Sequence, residues 1–153
     1  MFGIKRTLTD KLFSDIVREH GNWECVRCGR KHEKSENTCD NSHYWGRGMK
    51  SVRWDLENCD TLCKIPCHSG KDSSNPAKFG WEYQKQIKGH NGCTEDGQYT
   101  QFKKAQLGEK GFAELMVRAH TPTKVDEKAL RMGFKLILKR LGDFKKAGIL
   151  GAR

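Results

Sequence analysis

The chain has 153 residues, a formal net charge of +10 at pH 7 and a pI near 9.4. This size predicts one domain, and the charge favours a polyanionic partner, usually nucleic acid. No apolar stretch approaches the length of a membrane span and the first residues lack a signal-peptide core, so we expect no membrane contact and a cytoplasmic location. Seven cysteines, an odd number, favour metal binding over disulfide bonds.

Residues 1–22 form the first predicted segment, an N-terminal helix. The helix is expected to run from Leu8 to His20, with Thr9 as its N-cap and Gly21 at its end. Its apolar side chains fall on one face at helical spacing: Leu12, Phe13, Ile16 and Val17.

Residues 23–75 alternate short β-like pieces with glycine and cysteine, a pattern typical of a small module stabilised by a metal. Within it we predict a hairpin that starts at residues 43–45 and turns at the glycines of 46–48. Residues 51–55 alternate like a strand.

Residues 76–153 predict a helical tail that belongs to the same domain. Its expected elements are a helix opening at Pro76, an exposed loop over 89–100, a short helix over 111–118 and a last helix over about 126–141. The fold class is therefore α+β. The last helix carries an apolar face that could pack on its own domain or supply a homodimer interface. It also carries a basic stripe that is either a solvated surface or a phosphate-contacting face: Lys128, Arg131, Lys135 and Lys139.

Close cysteine pairs suit a structural zinc ion, which prefers four thiolate or imidazole ligands in a tetrahedron. Cys25 and Cys28 form one such pair, and the following Gly29 allows the backbone to fold tightly around a metal. The candidates for the second pair recur every four residues: Cys59, Cys63 and Cys67. The alternative is a set of reduced, buried thiols without metal.

The stretch from residue 43 to residue 71 resembles the HNH, or ββα-metal, nuclease motif. That motif has an acid and a histidine, then an asparagine, then Leu-Cys-x-x-Cys-His-x-x-Lys. The matching residues of this chain are His43, Asn58, Leu62, Cys63, Cys67, His68 and Lys71. This register selects Cys63 and Cys67 as the second zinc pair. The implied fold is a small zinc-stabilised ββα-metal module over residues 23–75, flanked by the N-terminal helix and the helical tail.

Several shorter pieces are similar to phage recombination nucleases of the NinG type. They are Trp23-Glu-Cys25, Ser42-His-Tyr44, and Val52-Arg-Trp54-Asp55. This narrower resemblance implies a role in cutting branched or junction DNA, in a phage-infected or prophage-carrying bacterial host.

The family resemblance also implies a role for each site residue. His43 is the general base that activates water, Asn58 orients it through the backbone, and His68 holds one divalent ion, Mg²⁺ or Mn²⁺. The implied products carry 5′-phosphate and 3′-hydroxyl ends. The expected DNA contacts are Arg47, Arg53 and Lys71. The remaining histidines lack such a context and are interpreted as surface residues: His20, His32, His90 and His120.

Ser42 departs from the family pattern, which usually has an aspartate before the base as a second metal ligand. Asp40 and Asp55 are the candidate replacements, although neither follows from spacing. Ser42 therefore favours a first alternative, a non-catalytic zinc module that only binds nucleic acid. A second alternative is a sequence-specific HNH enzyme of the homing or restriction type.

Overall fold

The computed structural model describes residues 4–70, 79–82, 84 and 97–148. Its main elements are α1 (Leu8–His20), β1 (Cys39–His43), β2 (Cys59–Cys63), α2 (Gln98–His120) and α3 (Glu127–Lys146). A 3₁₀ turn, Leu56–Asn58, precedes β2, and one turn of π-helix, Lys64–His68, follows it. The architecture is α+β, as predicted.

The two strands pair antiparallel, from Cys39 opposite Cys63 to His43 opposite Cys59. This pairing differs from the predicted hairpin, because residues 51–54 form turns rather than a strand. The alternation that suggested a strand has another cause: Val52 is buried in one apolar cluster, and Trp54 packs against a second one. Residues 44–55 thus form a long connection between the strands.

Helix α1 has the predicted bounds, but its N-cap is Thr7, two residues before the expected Thr9. The Thr7 hydroxyl accepts from the Asp10 amide, and the Asp10 carboxylate accepts from the Thr7 amide at 2.7 Å. This reciprocal capping box satisfies two amides at once, which explains why Thr7 caps the helix in place of Thr9. Thr9 lies inside the helix, buried, and its hydroxyl donates to Glu127.

Helix α2 is much longer than the predicted helix over 111–118. It begins at Gln98 and is interrupted at Gly108, whose φ of 70° lies in the left-handed region that favours glycine. Its first turns are anchored to β2 through Asp60, which accepts from Tyr99 at 2.8 Å and pairs with Lys103 at 2.7 Å. Lysine is almost always exposed, so the sequence pattern did not indicate that Lys103 lies on a buried helix face. The length of the helix was therefore underestimated.

Two apolar clusters lie around the sheet. One joins the α2 side chains Tyr99, Phe112 and Leu115 to Tyr44 and Leu62. The other joins α1 to α3, with the Phe13 and Phe134 rings 5.3 Å apart. The whole of β2 is buried between these groups of helices.

The last helix is confirmed, with Asp126 as its N-cap, and extends to Lys146. Its apolar face packs on α1, yet Met132 and Leu136 stay exposed. The homodimer expectation stays a prediction. Within the described ranges, no helix combines the length and apolar character that crossing a bilayer requires.

The predicted helix that opens at Pro76 falls mostly outside the described residues, although Trp81, Glu82 and Gln84 are helical. Most of the predicted loop over 89–100 also lies outside them, as do Lys71 and His90. Trp81 is buried in the α2 cluster.

Candidate metal centre and adjoining cleft

The sulfur atoms of the four cysteines predicted to bind zinc lie close together. The Sγ atoms of Cys25, Cys28, Cys63 and Cys67 all lie within 4.8 Å of one another. In a zinc–thiolate tetrahedron with 2.3 Å bonds, neighbouring sulfurs are about 3.8 Å apart. The Cys28 and Cys63 sulfurs are 3.5 Å apart. The four cysteines therefore fit a structural metal ion such as zinc, and Cys59 lies outside the group.

The backbone brings these cysteines together through two tight turns. In the first, Gly29 adopts a φ of 73° and its amide donates to the Cys25 carbonyl at 2.8 Å. The second turn joins the end of β2, at Cys63, to the π-helical turn that carries Cys67. The Val26 amide donates to the Thr61 carbonyl at 3.0 Å and so docks the first turn on β2.

The chemistry of this thiol group favours a bound cation. Burial, and then the neighbouring Cys28 and Cys25 thiols, raise the pKa of Cys63 to about 12. Burial and the same neighbours also raise the pKa of Cys67. Thiols this close cannot all ionise without a positive charge among them, and a metal ion supplies that charge.

His32 is the functional candidate that the sequence analysis missed. It was interpreted as a surface residue, but it is buried and its Nε2 lies 3.2 Å from the Cys63 sulfur. Its Nδ1 lies 2.7 Å from the Thr38 hydroxyl. Burial, then the charge of Arg30, lowers the pKa of His32 below its usual value. The sequence did carry one signal for this role. His32 follows Cys28 by four residues and so lies just after the tight turn that carries Cys25 and Cys28.

A cleft of about 650 Å³ lies beside the sheet and is bounded by α1, β1, the loop after β1 and the π-helical turn. Three of the predicted catalytic and metal-binding residues line it together: Asp40, His43 and His68. Asn58 does not line this cleft but lies behind it. Several basic residues also line it: Arg6, Lys11, Arg18, Arg47 and Lys64.

His43 ends β1, and its Nε2 lies 2.9 Å from the backbone carbonyl of Arg53. A carbonyl oxygen can only accept, so Nε2 must carry a proton in this arrangement. In the neutral ring, Nδ1 then holds the lone pair that a general base requires.

Asn58 is fully buried and holds the loop that follows His43. Its side-chain amide donates to the carbonyls of Trp45, at 2.9 Å, and Val52, at 3.0 Å. Its side-chain carbonyl accepts from the Trp45 amide at 2.8 Å. The amide thus closes both ends of the loop that leads from His43 to Arg53.

Asp40 and His68 form a pair on the cleft wall. The His68 Nδ1 lies 3.0 Å from the Asp40 Oδ2. Burial alone would raise the pKa of Asp40, but the hydrogen bond and charge of His68, with smaller effects of Lys64 and Arg18, lower it. A carboxylate at this position makes Nδ1 the donor, which leaves the lone pair on Nε2. The same 3.0 Å separation is about that of two neighbouring ligands on one octahedral ion with bonds of about 2.1 Å.

Ser42 does not take the place of a second metal ligand. It is fully buried opposite Asp60, and its hydroxyl has no hydrogen-bond partner among the described residues. The carboxylate near His68 belongs to Asp40, two residues earlier in β1.

The predicted DNA contacts have different surroundings. Arg47 lines the cleft and makes no side-chain hydrogen bond or ion pair within the described part of the chain. Arg53 is 7% exposed, and its guanidinium binds Asp10 in a two-point contact with distances of 2.8 and 2.5 Å. Its charge is thus used inside the protein. Lys71 lies outside the described residues.

Comparison with known proteins found no match of this chain to any protein-family profile, to any curated protein or to any solved structure.

Proposed function

We propose that this protein is a metal-dependent DNA endonuclease of the HNH type, which hydrolyses phosphodiester bonds to 5′-phosphate and 3′-hydroxyl ends. The observation that carries the proposal is that one cleft contains His43 together with the Asp40–His68 pair. These are the residue types that a base and a divalent-metal site require. The four-cysteine group, read as a structural zinc site, lies next to the turn that carries His68.

In the proposed reaction, His43 takes a proton from the attacking water through Nδ1. The Arg53 carbonyl keeps the ring in that tautomer, and Asn58 fixes the loop between them. Arg47 contacts a phosphate next to the scissile bond.

Asp40 and His68 would hold the catalytic Mg²⁺ or Mn²⁺ through Oδ2 and Nδ1, which lie 3.0 Å apart, and the ion would displace the proton between them. Such an ion neutralises the scissile phosphate and stabilises the leaving 3′ oxygen. Two protein ligands are enough for Mg²⁺, which commonly keeps several waters and binds substrate phosphates. Asp40 supplies the carboxylate that Ser42 cannot.

The favoured setting is phage recombination on branched or junction DNA, in the cytoplasm of a phage-infected or prophage-carrying bacterium. One observation favours a second candidate, a zinc module that binds nucleic acid without cutting it. Position 42 is a buried serine, so no carboxylate directly precedes the candidate base. A sequence-specific HNH enzyme is the third candidate, and it differs in its substrate.

The test is cleavage of a four-way junction, a random-sequence linear duplex and single-stranded DNA, with Mg²⁺ or Mn²⁺ added to metal-depleted buffer. Omitting the added ion is a better control than a chelator, because a chelator would also attack the cysteine site. His43→Ala should abolish cutting with zinc content and DNA affinity near those of the wild type. His20→Ala, a matched change at an exposed histidine, should cut normally.

Cleavage that survives in His43→Ala would exclude His43 as the base. DNA binding without cutting by the wild-type protein, under every metal condition, would support the non-catalytic zinc module instead. Cutting confined to one duplex sequence would support the homing or restriction type.

A further inference from the structure

Helix α1 presents a charged face to the cleft and an apolar face to the core. Its cleft-lining side chains recur at helical spacing: Asp10, Lys11, Ser14, Asp15 and Arg18. Its buried apolar side chains occupy another side: Phe13, Ile16 and Val17. The 3.6-residue period thus makes one helix both a core element and a wall of the cleft.

The charges along this wall are not equivalent. The carboxylates nearest the cleft already have partners, since Asp10 binds Arg53 and Asp15 binds Arg18 at 2.6 Å. In contrast, the side chains of Arg6 and Lys11 make no hydrogen bond or ion pair with any residue in the described ranges. Together with Arg47, they give the cleft lining three cations without an ion-pair partner among the described residues.

The wall is held firmly in place. The Asp10–Arg53 ion pair is buried on both sides, with 4% and 8% of the side-chain surfaces exposed. On the opposite face, Phe13 packs on Phe134 of α3. Arg6 precedes the helix, in a segment where the Lys5 carbonyl accepts from Arg53 at 3.3 Å. Because this backbone is fixed, Arg6 and Lys11 lose only side-chain freedom when they bind a phosphate.

We propose that α1 is the DNA-binding wall of the cleft, and that Arg6 and Lys11 contact phosphates of the strand whose scissile bond faces His43. This inference rests on the proposed function. It extends the site beyond the HNH-like motif to a helix that was predicted to lie outside the nuclease module. The competing surface is the basic stripe of α3, which does not line the cleft.

The test compares two double variants that each remove two positive charges. Arg6→Ala/Lys11→Ala changes the wall, and Lys128→Ala/Lys135→Ala changes exposed residues of the α3 stripe. DNA affinity is measured by fluorescence anisotropy between 50 and 200 mM salt, with no added divalent metal. Loss of two phosphate contacts should reduce the slope of log affinity against log salt by about 1.8. The affinity ratio of wild type to wall variant should therefore shrink about 12-fold across that range.

We expect this change in the wall variant only, with circular dichroism and melting temperature unchanged because both side chains are exposed. An unchanged slope, or an equal loss in the stripe variant, would overturn the inference. Cleavage by the wild type distinguishes the two proposals: a cutting enzyme with an unaffected wall variant contradicts only the wall. A wild type that binds DNA through α1 without cutting contradicts only the nuclease. A wild type that binds no DNA contradicts both.

Discussion

The imidazole of His43 is fixed by the backbone of Arg53, whose side chain is in turn fixed by α1. The Nε2 of His43 and the carbonyl oxygen of Arg53 are 2.9 Å apart. The guanidinium of Arg53 binds both carboxylate oxygens of Asp10 and lies over the Trp54 ring. The orientation of the candidate base therefore depends on a buried ion pair whose carboxylate, Asp10, lies outside the HNH-like sequence.

The first prediction concerns this ion pair. Asp10→Asn should lower the cleavage rate about 10- to 100-fold, because small displacements of a catalytic group are costly. DNA affinity should change little, since the carboxylate is already paired. We also expect a loss of about 3 kcal/mol in unfolding free energy, as for a buried charge left without its partner.

If Asp10 only stabilised the fold, its replacement would not change the tautomer of the His43 ring. That tautomer is therefore measured by long-range ¹H–¹⁵N NMR. The neutral wild type should show the Nε2–H tautomer, and Asp10→Asn should show a mixture. Asp15→Asn is the control, because it removes a carboxylate of the same helix from the less buried pair with Arg18. Equal cleavage by the Asp10 variant and the wild type would contradict the dependence.

The second prediction is a pH dependence of stability. Burial would raise the pKa of Asp10, but its bonds to Arg53 and Thr7 lower it to about 2, from an ordinary value of 3.8. A depressed folded-state pKa stabilises the protein above the unfolded-state value, and that contribution is lost as the pH falls. The difference in unfolding free energy between wild type and Asp10→Asn should thus be constant above about pH 5. It should shrink by about 2 kcal/mol as the pH approaches 2.

The difference between the two proteins is the measured quantity, because acid also protonates the metal-binding thiols of both. Urea unfolding at several pH values, followed by tryptophan fluorescence, gives that difference. A gap that stays constant down to pH 2.5 would contradict the assigned pKa shift.

The third prediction tests which cysteines hold the metal. Cys25→Ser and Cys67→Ser should each lose the bound zinc and unfold at a lower urea concentration, because the ion joins two turns that are far apart in sequence. Cys59→Ser is the matched control, since Cys59 is buried but lies outside the sulfur group. Elemental analysis should find one zinc per chain in the wild type and in the control.

Zinc retained at full stoichiometry in Cys67→Ser, or lost from a folded Cys59→Ser, would contradict this assignment. Loss from both would indicate that unfolding, rather than ligand removal, releases the ion, and circular dichroism of each variant separates these causes.

Local spacing predicted Cys25 and Cys28 as metal ligands, but the resemblance to the HNH motif was needed to select Cys63 and Cys67 over Cys59. The sequence also predicted α1 and α3, whose apolar residues recur at helical spacing. The pairing of β1 with β2 was missed, because strand partners are chosen by contacts distant in sequence. The partner of β1 is set by the interior of the domain and by Asn58, not by the glycines of the nearest turn.

The polar interior explains the other omissions. Lys103 and Arg53 read as surface residues, and both are buried because a distant carboxylate pairs with each. Asp40 was only one of two candidates, since its approach to His68 depends on how β1 passes the π-helical turn. Pair formation of this kind depends on the tertiary fold, so no local pattern indicates it.

The fourth prediction concerns His32, whose Nε2 points at the Cys63 sulfur while Nδ1 faces the Thr38 hydroxyl. When Cys63 is a metal-bound thiolate, the ring can donate Nε2–H to the sulfur and accept from Thr38. Such a bond reduces the negative charge that four thiolates place on the ion and holds Cys63 in position. His32→Ala should therefore weaken zinc binding about 10- to 100-fold.

Competition with a chromogenic chelator measures that loss, and the cobalt-substituted protein gives a second signal. Its thiolate-to-metal charge-transfer band should shift in His32→Ala, because the sulfur loses a hydrogen bond. His20→Ala, at an exposed histidine, should leave both signals unchanged. Thr38→Val should have a smaller effect of the same sign, since the His32 ring keeps its hydrogen bond to sulfur and loses only the one from the Thr38 hydroxyl. A cobalt spectrum and a zinc affinity that are identical in wild type and His32→Ala would show that the ring only fills space beside Cys63.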